Sequence, residues 1–397
     1  MRSIFVILAL AGCQRTEPAA TTGSAGTPPP QTSTRQAPVA AAAPTPPPAD
    51  KPPRAVPPLP SPLPGKRSDL ASVIPGAAKL AIGDVDGDGR AELVTADANK
   101  LRVVTPQGKE LASMPVPGGC YVLAVADVDG KPSIVAGWGL SREHRDAPAK
   151  LARYRLDKGQ LVEDVIATPP TQRAEVVAMI PVDQQTLLVA YYTSKYIVQS
   201  AYARHAATGW TLEPLAELRM ATSYARGDVD GDGKPDLVVG RVYGEAKGLD
   251  GDAFVLAPGG ARTPIPTTRG VHGLAIADGA IFLGDGWHQN YADTARGLLT
   301  EARHDATGFH SQLVEDTPGQ FMIEKILVAK IDGKTVLVTL GSHYVRAYEK
   351  IDGAWRGLTI AGASRDIAVG NVSGHGDEIV VAGDKPEVID LRGVKWP

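Results

Sequence analysis

Apolar residues fall in short runs along this chain, and the runs recur in pairs around a polar turn. Leu80-Ala81-Ile82-Gly83 leads into Asp84-Val85-Asp86-Gly87-Asp88-Gly89, and Glu92-Leu93-Val94 follows. The pattern returns almost unchanged at Arg226-Gly227-Asp228-Val229-Asp230-Gly231-Asp232-Gly233, followed by Asp236-Leu237-Val238-Val239-Gly240. Weaker copies lie at Val125 to Gly130 with Ile134 to Gly137, and at Ile180 to Asp183 with Leu187 to Ala190. Three more lie at Ile276 to Gly279 with Ile281 to Gly284, Ala329 to Gly333 with Val336 to Val338, and Val369 to Gly374 with Ile379 to Gly383. The seven copies stand about 40 to 55 residues apart, the period of a four-stranded propeller blade. Each copy reads as strand, tight turn, β-branched strand, with two weaker alternating segments behind it. No copy sustains a 3.6-residue period, which excludes a helical solenoid.

The pattern predicts an all-β fold, a seven-bladed β-propeller over residues 66–397 preceded by a disordered proline-rich linker. The inner strands are the more continuously apolar, as expected of strands covered on both faces. The seventh copy is cut short at Pro397, so an earlier segment must complete its sheet. Leu70-Ala71-Ser72-Val73-Ile74 is the candidate for that outer strand.

The N-terminus has a different character. Met1-Arg2-Ser3 precedes an apolar run, Ile4 to Leu10, which is too short to span a bilayer as a helix. A basic start, an apolar core and small residues before a cleavage point describe a secretory signal over residues 1–12. Leu10-Ala11-Gly12-Cys13 resembles the lipobox of bacterial lipoproteins, although the segment is shorter than most in that family. The resemblance implies that Cys13 becomes the acylated N-terminus. Gln14 in the next position resembles lipoproteins sorted to the outer membrane, facing the periplasm or the cell surface. Residues 13–65 are rich in Pro, Ala, Thr and Ser and bury too little apolar surface to fold. Runs such as Pro28-Pro29-Pro30 favour extended polyproline II, at ~3.1 Å per residue, which suits a spacer. A ligand for a proline-binding domain is the functional alternative.

Composition narrows the classes further. The 397 residues include 43 Gly and 33 Pro but only 5% aromatics, which suits many turns and short strands. With 41 basic and 44 acidic residues and no basic stripe, nucleic-acid binding is not expected. The two cysteines, Cys13 and Cys120, form no CxxC pair. With Cys13 lipidated, Cys120 stands alone as a small apolar residue; a disulfide between them is the alternative.

The two strongest turns carry the candidate metal chemistry. Asp84, Asp86, Asp88 and Glu92 alternate with small residues, and Asp228, Asp230, Asp232 and Asp236 repeat the arrangement. Such a loop can offer Ca²⁺ four carboxylates and the backbone carbonyl of Arg90 or Lys234, within the six to eight oxygens the ion takes. Carboxylates packed this closely repel one another without a cation. An EF-hand needs Glu at position 12 and flanking helices, whereas Thr95 and Val239 stand there between strands. Plain acidic hairpin turns are the alternative. The other copies lack ligands: Lys131-Pro132 cuts the second loop short, and Asn371, Ser373 and His375 replace the acids of the seventh.

The string Gly-Asp-Val-Asp-Gly-Asp-Gly with a later acid and Leu resembles the FG-GAP (VCBS-type) repeats of integrin α-subunit propellers and many secreted bacterial proteins. The resemblance implies seven blades, with calcium stiffening the hairpin between the two inner strands of a blade. It spans adhesion, sugar binding, polysaccharide cleavage and complex assembly, and the fold does not choose among them.

If the acidic hairpins line one rim, the loops after each second strand line the other. Those loops hold Trp138, Arg142, His144, Tyr191, Tyr192, Tyr196, Arg241 and Tyr243, then Asp285, Trp287, His288, Tyr291, His343 and Tyr344. Tyr and Trp suit stacking on sugars or anchoring peptides; capping the channel and packing between blades is the alternative. No catalytic motif is present, although His144, Asp285 and His288 could act as acid–base groups. The reading is a monomeric, membrane-tethered, calcium-stiffened module that binds a glycan or a protein. A propeller hydrolase or lyase and an envelope scaffold are the alternatives.

Overall fold

The computed structural model describes residues 58–397 except 98, 141–146, 170–174, 195–196, 245–250, 259, 268–269, 286–296 and 318–321. The described chain folds into seven four-stranded antiparallel sheets, the blades of a β-propeller. After β1 (Lys66–Asp69), blade 1 holds β2 (Lys79–Gly83), β3 (Glu92–Ala96), β4 (Lys100–Val104) and β5 (Glu110–Pro115). Blade 2 holds β6 (Gly119–Val128), β7 (Lys131–Gly139), β8 (Lys150–Asp157) and β9 (Gln160–Ala167). Blade 3 holds β10 (Val176–Asp183), β11 (Thr186–Ser194), β12 (Ile197–Ala206) and β13 (Gly209–Leu215). Blade 4 holds β14 (Ser223–Gly227), β15 (Asp236–Gly240), β16 (Ala253–Leu256) and β17 (Arg262–Ile265). Blade 5 holds β18 (Val271–Ala277), β19 (Ala280–Asp285), β20 (Gly297–Asp305) and β21 (Gly308–Thr317). Blade 6 holds β22 (Ile323–Ile331), β23 (Lys334–Gly341), β24 (Val345–Ile351) and β25 (Ala354–Ala361). Blade 7 holds β26 (Asp366–Gly370), β27 (Glu378–Ala382) and β28 (Glu387–Asp390), with β1 outermost beside β28.

The first strand of each blade touches the first strand of the next, from β2 through β26 and back to β2, so the ring is closed. These first strands border the central channel and are only partly buried. The second strands sit inside their blades: all five residues of β3 and of β27 are buried. The most continuous burial therefore belongs to the second strand, one step out from the axis.

The core lies in the seams between blades. Val94, Leu101 and Val103 of blade 1 pack with Ile134, Trp138 and Tyr154 of blade 2. Seam contact explains the glycine before each acidic loop. A Cβ on Gly83 would lie 2.5 Å from Val125, and one on Gly227 would lie 2.9 Å from Ile276, each in the next blade. Any larger residue there pushes neighbouring blades apart.

Ring closure differs from the sequence expectation. The strand completing blade 7 is β1, the four residues immediately before Leu70, in register Lys66 with Asp390 through Asp69 with Glu387. An outer strand needs backbone pairing more than apolar side chains, and polar edges avoid stray pairing. Arg67 adds an ion pair to Glu387 and a 2.8 Å hydrogen bond to the Ile360 carbonyl. Leu70 to Ile74 instead turns back on itself, with the Val73 and Ile74 amides both donating to the Leu70 carbonyl. Its apolar side chains plug the seam between blades 7 and 1, where Ile74 is fully buried beside Leu80 and Val380.

Candidate metal loops and the channel mouth

In blade 1 the chain between β2 and β3 curls around its own carboxylates. Asp84 accepts the Gly87 amide at 2.7 Å and the Gly89 amide at 2.9 Å, while Glu92 accepts the Val85 amide at 2.9 Å. The bend needs left-handed backbone at Gly87 (φ +81°) and Gly89 (φ +86°), conformations that glycine adopts without strain. Blade 4 repeats the arrangement bond for bond. Asp228 accepts Gly231 at 2.7 Å and Gly233 at 3.0 Å, and Asp236 accepts Val229 at 3.0 Å.

Carboxylate oxygens of Asp84, Asp86 and Glu92 lie within 4.8 Å of one another, and so do those of Asp228, Asp230 and Asp236. Glu92 is only 2% exposed. Burial, followed by the nearby charges of Asp86, Asp88 and Asp84, raises its pKa above the ordinary glutamate value against the bond from Val85. Three hard oxygen donors around a point, one of them buried in blade 1, suit a divalent cation such as Ca²⁺. The fourth acid of each loop stands apart from the trio. Asp88 accepts the Arg90 amide at 2.8 Å, and Asp232 accepts the Lys234 amide at 2.7 Å.

The seventh blade bends in a similar way with different chemistry. Glu378 accepts the Ser373 amide at 2.8 Å, and Asn371 accepts the Gly376 amide at 3.1 Å. Beside it stands a guanidinium. Arg392 pairs with Glu378 at 3.2 Å, donates to the His375 carbonyl at 2.6 Å and grips Asp390. A fixed cation thus sits where the other two loops concentrate negative charge. The corresponding hairpins of blades 2, 5 and 6 are tight turns with Asp-Gly pairs at positive φ, Asp129-Gly130, Asp278-Gly279 and Asp332-Gly333. Here too side chains supply the countercharge: Asp129 accepts Arg153 at 2.7 Å and contacts His205 Nδ1 at 3.0 Å.

Opposite these hairpins, where first strands begin and second strands end, the channel opens into a cavity of about 490 Å³. Of the aromatic rim candidates, Tyr192 and Tyr243 line this mouth. Trp138 does not, because it is fully buried in the seam between blades 1 and 2. Tyr191 is buried between blades 2 and 3, and Tyr344 is buried as well. Arg241 is also buried, held on Asp252 and over the Phe254 ring at 5.1 Å. Trp138 and Tyr191 share one reason: residues at the ends of second strands face the neighbouring blade as often as the channel. His343 is half-buried, 6.4 Å from the Tyr344 ring. Arg142, His144, Tyr196, Trp287, His288 and Tyr291 lie outside the described residues, as does the Asp285 side chain. So do Cys13 and the proline-rich segment up to residue 57.

Several residues at the mouth carried no sequence signal. Tyr121, His272, Glu324, Lys325, Asp366 and Lys79 border the cavity with the two tyrosines. Cys120 lies next to this layer. Burial pushes its thiol up to about 12, and its Sγ contacts the Val122 carbonyl at 3.3 Å, so it behaves as a packing residue. Two outer-strand tryptophans were also missed. Trp210 Nε1 donates to Asp164 at 3.1 Å and Trp355 Nε1 to Glu301 at 2.9 Å, each reaching back to the preceding blade. The hydrophobic pattern shows such residues as apolar and hides the partner of the indole N–H.

No protein-family model and no curated protein sequence matches the chain. The backbone is similar to crystal structures of BBS1N in complex with ARL6DN, soaked with lead (TM-score 0.53) or with mercury (0.54). Each is 13% identical and the match covers 84% of this chain and 98% of that one. It is also similar to the extracellular domain of the hybrid two-component system BT4673 from B. thetaiotaomicron. There the TM-score is 0.51 at 11% identity, covering 82% of this chain and 40% of that one. At these identities the likeness shows the fold alone: the chain is a seven-bladed β-propeller.

Proposed function

We propose that the protein is a calcium-stiffened binding module of the FG-GAP type, tethered to the cell envelope through an acylated Cys13 and a proline-rich spacer. The observation that carries this reading is the pair of acidic loops in blades 1 and 4, alike in every hydrogen bond, on the rim opposite an open, tyrosine-lined channel mouth. Metal and ligand then act on different faces. The ion holds the inner hairpins, and the mouth receives the glycan or protein ligand. The Leu10-Ala11-Gly12-Cys13 string supports an outer-membrane lipoprotein, and the spacer holds the propeller away from the bilayer.

The test pairs a glycan array with a cross-linking screen against envelope proteins, each run with native protein and with Tyr192→Ala/Tyr243→Ala. Binding that falls at least tenfold in the double variant, with calcium uptake unchanged, supports the reading. Equal binding by both proteins, or none by the native protein in either assay, contradicts it.

A further inference from the structure

The innermost strands do not run regularly into the channel mouth. In blades 2, 3, 5 and 6 the pairing of first and second strands skips one residue near its start. The skipped residues are Tyr121, Val177, His272 and Glu324. All four line the cavity. A bulge breaks ladder pairing, bends the strand and re-aims one side chain, a device found beside functional sites. Four bulges at one level, each placing a different side chain at the same mouth, form a built layer. Lys79, Thr222 and Asp366 complete it from blades 1, 4 and 7.

The chemistry of that layer is unlike on its two sides. Toward blades 2 and 3 it is aliphatic, with Val122, Val177 and Met179. Toward blades 5, 6, 7 and 1 it is polar. One ion pair there is internal: Lys325 Nζ reaches Asp366 at 2.9 Å, and Asp366 also accepts the Leu80 amide at 2.9 Å. Two charges remain. Among the described residues, neither the Lys79 ammonium nor the Glu324 carboxylate has an ion-pair or hydrogen-bond partner. Lys79 and Glu324, one charge of each sign, line the same cavity as His272. His272 Nδ1 lies 3.3 Å from the Glu324 carbonyl, and burial lowers the pKa of the ring. Partly desolvated, unpaired charges of opposite sign are best satisfied by a ligand that brings the complement of both.

We propose that this layer binds a small zwitterion of the α-amino-acid or short-peptide class. Its carboxylate meets Lys79, its ammonium meets Glu324, and its apolar side chain lies toward Val177 and Met179. The cavity, about 490 Å³, holds a ligand of that size. The inference goes beyond the binding-module reading, since it gives the same mouth a small-molecule ligand besides a glycan or protein.

The experiment is calorimetry on the calcium-loaded protein with leucine, methionine, phenylalanine and the dipeptide of two leucines. Each is compared with its N-acetylated and its C-amidated form. At least one free zwitterion is expected to bind, and blocking either end is expected to weaken it at least tenfold. Lys79→Gln should remove the penalty for amidation, and Glu324→Gln the penalty for acetylation. That crossed pattern would not arise from a merely structural role. No binding by any free member overturns the proposal, as does binding indifferent to blocking or to both substitutions. Equal macromolecular binding by the native and double-tyrosine proteins, or none by either, would count against the wider reading and leave this result standing.

Discussion

Chelating divalent ions is expected to lower the melting temperature of the propeller by about 10 °C. Two loops, each filled at about a hundredfold excess over its dissociation constant, stabilise the fold by roughly 2.7 kcal/mol apiece. A domain of this size shifts by about 2 °C per kcal/mol. The sign with pH separates this from general destabilisation. Glu92 has a raised pKa in the metal-free fold, so there the native state holds more protons than the unfolded chain above the ordinary glutamate value. Chelated protein therefore loses stability as pH rises through that window. With calcium present the carboxylate is held ionised, and acidification weakens binding instead. Differential scanning calorimetry at pH 5 and pH 7, with and without chelator, should show the two slopes with opposite signs. Parallel slopes would contradict the account.

Replacing Arg392 is expected to have the next largest effect. Glu378 is buried, and Arg392 is the cation that faces it in the seventh-blade hairpin. Removing one partner of a buried ion pair costs about 3–5 kcal/mol. Because the guanidinium is partly exposed, at 24%, about 1–3 kcal/mol is the better expectation for Arg392→Gln. The same blade closes the ring through β1 and β28, so the loss should appear as cooperative unfolding rather than local fraying. Combining Arg392→Gln with Asn371→Asp, Ser373→Asp and His375→Asp supplies the three alternating acids of blades 1 and 4, with Glu378 one position nearer to them than Glu92 and Asp236 are in their loops. That quadruple variant should bind one calcium more than the native chain and recover stability in excess calcium. A variant that takes up no additional ion would show that countercharge does not distinguish the blades.

How far the sequence spoke for the structure depended on the range of each interaction. The seven-copy period, the strand–turn–strand unit and the acidic loops are local, and the residues 84–92 and 228–236 carry them in full. Ring closure is long-range, and Leu70 to Ile74 misled because an apolar stretch resembles a strand whether it pairs or plugs a seam. Lys66 to Asp69 carries no apolar signal, since an outer strand is selected by its backbone partners. The rim reading was blurred for the same reason. Alternation places Tyr192 and Tyr243 at the mouth but turns Trp138 and Tyr191 into seams. The bulges at Tyr121, Val177, His272 and Glu324 have no signature in single-sequence periodicity, because one skipped residue is invisible until the partner strand is in place.

The direct test of the central claim is calcium titration of metal-free protein by calorimetry, with stoichiometry checked by native mass spectrometry. Two ions per chain are predicted, falling to one in Asp84→Asn/Asp86→Asn and to one in Asp228→Asn/Asp230→Asn. Absence of binding, or a stoichiometry unmoved by either pair of substitutions, would contradict it.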